Sequence, residues 1–404
     1  MIFRFIWRNI WRNKRRSLIT MASVAFAVLL AVTMKSLQKG VFDNLVKNVV
    51  SFYSGYIQIH QQGYWNEQTL ENSIEYSEEK IITLNKVKNI TNSVARVESF
   101  ILASSENATV GCMLVGTQAE PENNLTGLKA KLVKGSYLND HEEGALIAED
   151  LAKRLQISVN DTVILLGQGY QGNTAAGKFT VCGIVRFGSP QLNQSLVFLP
   201  LSFAQTFLST GNRVTTIAFN ISSPAFLEQT EDALSKQAGK ELEVLTWKKM
   251  MPDIEGHIRA DNVNFYIFIG VLYLLIAFGI FGTLIMMLAE RKYELGMMLA
   301  IGMKRLHLAL MLTGETILIS VLGTILGLLL SYPVVRYFEL HPIKFKGSMA
   351  DAYKNFGFDA IWPASFDPEI FLTQALIVMI LSLLIGMFPL LKIMRMNAIT
   401  NMKR

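Results

Sequence analysis

Several short stretches of this chain carry residue types that do chemistry elsewhere, and Gly172-Asn-Thr-Ala-Ala-Gly-Lys-Phe179 comes nearest to a known pattern. A phosphate-cradling loop needs Ser or Thr directly after its lysine to hold Mg²⁺, and it must join a strand to a helix. Phe179 occupies that place, and Phe179-Thr-Val-Cys-Gly-Ile continues as a strand pattern, so a hairpin loop is expected there and not a nucleotide site. The five histidines (His60, His141, His257, His307, His341) are scattered, and His141-Glu-Glu lacks the second histidine of a zinc-protease helix. Neither a Gly-x-Ser-x-Gly turn nor a paired-cysteine metal spacing is present. No catalytic, metal or cofactor site is expected within this sequence.

Two other features point to function of a different kind. Glu315 lies inside a long apolar run, where an ionised carboxylate costs several kcal/mol unless it meets a partner helix or a wet cavity. Pinning neighbouring helices is the plainer role, and proton transfer the alternative. Residues 290–305, from Glu290 to Arg305, are a short charged segment between two apolar runs. Glu290, Arg291 and Glu294 share one helical face, whereas Leu295, Met298 and Leu299 form an apolar stripe. Gly296 and Gly302 permit sharp turns beside such a helix. A helix lying parallel to a membrane, apolar side inward and charges outward, fits this pattern better than a solvated loop and offers a handle to another protein.

The elements that must hold these residues are membrane spans. With 51% hydrophobic and 17% charged residues, the chain is too apolar for an ordinary soluble enzyme. Four runs, taken as 17–37, 264–289, 307–333 and 370–391, each approach the ~20 residues that cross a ~30 Å hydrocarbon core. Six basic residues and no acid fall in the first sixteen positions, and Arg291, Lys292, Lys304 and Arg305 follow in the bridge. The positive-inside rule therefore places both termini, the bridge and the tail 392–404 in the cytoplasm. The net charge of +6 is largely this topogenic signal and gives no reason to invoke nucleic acid. Residues 1–16 repeat Arg4, Arg8, Arg12 and Arg16 beside Phe3, Trp7 and Trp11, the pattern of an interfacial amphipathic helix.

Residues 38–262 and the loop 336–369 then lie outside. The larger insert mixes strand-like runs with helical ones, the latter including Glu78–Val94 and Ala145–Leu155, and reads as an α+β domain. Its Gly-rich centre, about 119–212, is expected to be a strand-rich subdomain inserted into the first. Cys112 and Cys182 both fall on this side, where a disulfide is permitted; two buried thiols are the plainer reading. Within the third run, Gly323 and Gly327 form a Gly-x-x-x-Gly step for close helix packing. The expected fold class is thus membrane α-helical, with four transmembrane helices and an extracytoplasmic α+β domain of two subdomains.

Glu290-Arg-Lys-Tyr-Glu-Leu-Gly-Met-Met-Leu-Ala-Ile-Gly-Met303 resembles the R-x-x-E-I-G-x-x-x-A-x-G signature of the FtsX-like family of ABC transporter permeases, which includes MacB-type proteins. Ser54-Gly-Tyr-Ile-Gln-Ile-His-Gln-Gln-Gly-Tyr64, Gly144-Ala-Leu-Ile-Ala-Glu-Asp-Leu-Ala-Lys-Arg-Leu155 and Ile361-Trp-Pro-Ala-Ser-Phe-Asp-Pro368 look like the lipoprotein-releasing, LolC/LolE-like branch. The resemblance covers nearly the whole chain and departs where Ala398 replaces a usual proline. It implies that 290–305 is a coupling helix, with Glu290, Arg291, Glu294, Leu295, Gly296 and Gly302 contacting an ATPase. ATP and Mg²⁺ would then reside on that separate subunit, and this chain would be a non-catalytic permease. It further implies a second permease, identical or related, and mechanotransmission of ATPase closure to the outer domain. The expected task is lipoprotein release from a bacterial inner membrane. MacB-like efflux is the alternative, and a scaffold or signalling protein acting on an envelope enzyme is the reading from another class.

Overall fold

A computed structural model of the chain describes residues 2–12, 14–348, 350, 353 and 360–394. The tail from Arg395, with Ala398, lies outside the described residues, as do the side chains of Phe3, Arg4 and Arg16. The chain divides into two compact units, one built from 1–44, 257–344 and 361–404, the other from 45–256 and 345–360.

The first unit is helical. Helices α1 (Ile2–Arg12), α2 (Lys14–Val49), α3 (Pro252–Glu290), α4 (Lys292–Ala300), α5 (Arg305–Leu340) and α6 (Pro368–Met394) follow in chain order. Four of them, α2, α3, α5 and α6, contain stretches long and apolar enough to cross a membrane. They run past their apolar stretches into flanking polar residues; α3 begins twelve residues before the expected 264. Val24, Val28 and Val32 of α2 meet Ile280 and Leu284 of α3, Val335 of α5 and Val378 of α6 in one cluster. Ile6 and Ile10 seat α1 on Ile319 of α5.

Glycine makes the closest of these approaches. A Cβ at Gly323 would lie 2.8 Å from the Val24 Cβ, and one at Gly327 would lie 2.6 Å from the Ala25 carbonyl oxygen. Gly40 of α2 is tighter still, with the Pro363 carbonyl 2.2 Å from where a Cβ would stand. There the segment 363–367 runs along α2. The Ser365 N–H donates to the Ser36 carbonyl at 2.9 Å, the Ser36 hydroxyl donates back to the Ser365 carbonyl, and Lys39 pairs with Asp367. A two-residue ladder, Ile343 and Lys344 against Trp362 and Ile361, leads into this strap. Gly327→Ala is expected to lower the stability of the detergent-solubilised chain by about 1–3 kcal/mol, since backbone cannot yield as a side chain does. Gly279 has nothing within 4 Å, so Gly279→Ala is expected to melt at or slightly above the parent temperature.

The second unit is built on ten strands: β1 (Ile57–Gln61), β2 (Ile90–Ser104), β3 (Thr109–Thr117), β4 (Leu132–Gly135), β5 (Ala145–Ala148), β6 (Thr162–Gln168), β7 (Thr174–Val185), β8 (Leu196–Pro200), β9 (Thr216–Ile221) and β10 (Leu242–Thr246). The order β10-β1-β9-β2 forms one part. From β2 the pairing continues through β3, β8, β5 and β7 to β6, and β6 pairs back onto the end of β2 at Ile101–Ser104. Six strands thus close on one another, which removes their free edges. The long strand β2 serves both parts: Arg96 faces Thr216 of β9, whereas Leu102 faces Leu166 of β6.

The structure differs from the sequence expectations at three places here. The strand-rich part does not start at 119, because β2 and β3 already belong to it. Glu78–Val94 is helical only over Glu78–Asn85; Asn89 takes a left-handed φ of 77° and the β-branched run from Ile90 becomes β2. Ala145–Leu155 likewise opens as a strand, since β5 lies between β7 and β8 and is buried on both faces. The hairpin β6–β7 turns at 169–173, and Lys178 and Phe179 lie within β7, which leaves no strand-to-helix turn for a phosphate. Cys112 and Cys182 are free thiols, and burial pushes the Cys112 thiol up to about 12.

Candidate docking site

The segment 290–305 folds as a short helix between two long ones. α3 stops at Glu290, Arg291 breaks the helical run with φ −94° and ψ 6°, and α4 follows directly. Its far end is closed by Gly302 at φ 100°, with the Met303 N–H donating to the Met298 carbonyl at 3.1 Å. That is the closure a glycine just past a helix end allows and an L side chain resists. Leu295 packs with Leu288 of α3, Leu308 and Leu312 of α5, and Ile393 of α6.

The structure separates the residues that the sequence pattern grouped. Glu290, Glu294 and Gly302 are exposed, whereas Gly296 is buried and Arg291 and Leu295 are only 5% and 1% exposed. Arg291 and Leu295 are therefore turned into the bundle and not toward a partner. The Arg291 Nη1 donates to Glu315 Oε2 at 2.9 Å, and Glu315, in the first half of α5, is only 1% exposed. This ion pair joins the start of the connecting helix to the third long span. A half-exposed pair, Arg12 Nη2 to Glu294 Oε2 at 3.2 Å, joins α1 to the same helix. Open to water, the second pair contributes at most about 1 kcal/mol. The outer face of α4 carries Tyr293, Glu294, Met297 and Ile301. Tyr293, Met297 and Ile301 recur every four residues opposite Arg291 and Leu295, a spacing visible in the sequence once the inward face is known.

A second buried polar cluster lies in the α/β unit. Arg96 of β2, wholly buried, donates Nε and Nη2 to the two carboxylate oxygens of Glu122 at 2.8 and 2.7 Å, and Nη1 to the Tyr53 carbonyl at 2.8 Å. The hydroxyls of Thr117 and Thr126 also donate to Glu122. Glu98 accepts from the Tyr53 hydroxyl and from the Thr216 hydroxyl at 3.3 Å. Burial raises the Glu98 carboxyl, and the Arg96 guanidinium with the two hydroxyls works against that rise. His60 is buried as well, hydrogen-bonded to the Thr215 carbonyl and Gln58 and stacked on Tyr64; burial pulls it down to about 4, a structural neutral imidazole.

Four membrane-length helices, a large α/β domain between the first two in chain order, and a pinned connecting helix make up the architecture of this chain. Residues 17–237 match the MacB-like periplasmic core domain and residues 266–398 match the FtsX-like permease C-terminal model. The chain belongs to the FtsX-like ABC transporter permease family and carries its MacB-like periplasmic core domain. It is 20% identical to the lipoprotein-releasing system transmembrane protein LolC of Buchnera aphidicola over 81% of each chain. It is also 20% identical to the macrolide export ATP-binding/permease protein MacB of Aggregatibacter actinomycetemcomitans, over 79% of this chain but 50% of that protein. An ABC transporter permease of Bacillus subtilis, YtrF, is 26% identical over 67% of this chain and 62% of its own length.

Proposed function

We propose that this chain is the permease subunit of an ABC complex in which a separate ATPase grips α4, and that the complex releases lipoproteins from the inner membrane of a bacterium. The observation that carries the reading is the two-faced α4: Arg291 and Leu295 fasten it to the long helices, while Tyr293, Glu294, Met297 and Ile301 stand outward. A helix fastened in this way passes a push on its outer face directly into α3 and α5. The basic residues flanking α4 and in α1 favour a cytoplasmic position for it, with the α/β domain on the opposite side. ATP and Mg²⁺ belong to the partner, and a second permease, identical or related, completes the complex alongside membrane lipid. The similarity to LolC over four-fifths of both chains favours lipoprotein as the substrate. The MacB-like core domain supports efflux of small amphiphiles as the second reading.

Glu294→Lys tests the contact. Its only ion pair among the described residues is the exposed one with Arg12, so fold stability is expected to change little. Capture of the co-expressed ATPase is expected to fall about tenfold or more, because reversed charge in an interface repels the partner. Unchanged capture and unchanged ATP turnover would sink the docking assignment. Release of a radiolabelled lipoprotein from proteoliposomes, against uptake of a macrolide, decides between the two substrates.

A further inference from the structure

The α/β unit contains a cavity of about 450 Å³ whose lining has a consistent chemistry. Tyr64, Trp65, Phe100, Met113, Met250 and Met251 supply aromatic faces and thioethers. The largely buried Glu98 and the exposed Glu67 are both among its lining residues, and no lysine or arginine is. Phe100 is 71% exposed, although it projects from the middle of a strand, where a large apolar ring ordinarily packs.

The charges around Glu98 are uneven. Arg96 approaches it to 3.9 Å, but the guanidinium is committed to Glu122 through two shorter bonds. The Lys131 ammonium is felt on the Glu122 side of the cluster. Glu98, the carboxylate that borders the cavity, takes its hydrogen bonds from the Tyr53 and Thr216 hydroxyls and has Arg96 as a cationic neighbour on the side away from the lining residues. Aromatic faces attract cations, methionine adapts to irregular apolar shapes, and a carboxylate supplies the counter-charge. An anion of the same size would meet two carboxylates and no donor cation.

We propose that this cavity binds a cationic amphiphile, an apolar body bearing a protonated or quaternary onium centre, with the charge at Glu98 and the body against Trp65, Phe100 and the three methionines. The site also touches both ends of the domain's chain. Tyr53 and Ser54 close the π-helical turn Val50–Ser54 that follows α2, and Met251 directly precedes Pro252, where α3 begins. An occupant would therefore bear on the residues that lead from the first long helix and into the second. Binding here rests on the α/β unit alone and goes beyond the ATPase reading.

The test uses the full chain in nanodiscs, with empty nanodiscs subtracted, and two probes of matched size and opposite charge, tetraphenylphosphonium and tetraphenylborate. Equilibrium dialysis is expected to show saturable binding of tetraphenylphosphonium, at least tenfold weaker in Glu98→Gln, and no saturable binding of tetraphenylborate. Glutamine retains an acceptor for the Tyr53 hydroxyl; should Glu98→Gln nevertheless fail to fold, Trp65→Ala at the partly exposed rim carries the comparison. The proposal is overturned if tetraphenylphosphonium does not saturate the parent chain, if its affinity is unchanged in the folded variants, or if tetraphenylborate binds equally well. No ATPase enters this measurement, so its failure leaves the docking assignment of α4 untouched.

Discussion

Glu315→Ala is expected to destabilise the helical unit by about 3–5 kcal/mol, because it leaves the Arg291 guanidinium buried without the carboxylate it donates to. Arg291→Ala should cost a similar amount by stranding the opposite charge in an apolar helix. Replacing both by leucine restores charge balance and apolar packing, and most of the loss should return. Thermal melting of the four forms in one detergent closes the cycle; a double variant as unstable as the singles would mean that the pair is not the unit that matters. The functional expectation runs the other way. Under the proposed docking of an ATPase on α4, the double variant keeps a stable bundle but loses the directional tie between α4 and α5, so it should still support ATP hydrolysis while releasing little substrate.

Arg96→Met should be the most damaging single change in the α/β domain, again by about 3–5 kcal/mol, and roughly 10 °C in melting temperature for a domain of this size. Glu122 would keep the Thr117 and Thr126 hydroxyls but lose both guanidinium bonds. Arg96→Lys should rescue little, since a single ammonium cannot reach two carboxylate oxygens and the Tyr53 carbonyl together. Arg96→Met with Glu122→Met should recover most of the stability. Circular dichroism melts of the full chain, with limited proteolysis of the domain, report the outcome; a parent-like melt for Arg96→Met would refute the assignment.

The membrane helices were legible because a twenty-residue apolar run has few other uses. The need for a partner at Glu315 was legible as well, since the penalty for burying a lone carboxylate does not depend on the fold. Its partner was not. Arg291 is 24 positions away in a segment that reads as solvent-facing, and only the break between α3 and α4 turns it inward. Glu290, Glu294 and Gly302 remain on the accessible side, and the periodicity of Tyr293, Met297 and Ile301 became meaningful only after that rotation was known. In the soluble unit, the mixture of strand-like and helical runs was legible, yet the ring closed by β6 against β2 is a pairing between distant segments, which no local pattern encodes. Ala145–Ala148 shows the same limit: four apolar residues suit a helix or a doubly buried strand equally well, and their neighbours decide. The Arg96–Glu122 pair joins a strand to a helix 26 residues on, where each residue alone looks like an ordinary surface charge.

α2 is 36 residues long, about 54 Å from end to end. It is gripped about a third of the way along by the glycine step of α5 and farther on by the strap at Ser36, Lys39 and Gly40. A rod held at two separated points cannot tilt on its own; it tilts only as one body with α5 and the strap. Over that length each degree of tilt about one end carries the other through about 1 Å. Angular gain, with no new contacts and no change in helix length, is thus enough to turn a small repacking at one end into a shift the size of a side chain at the other.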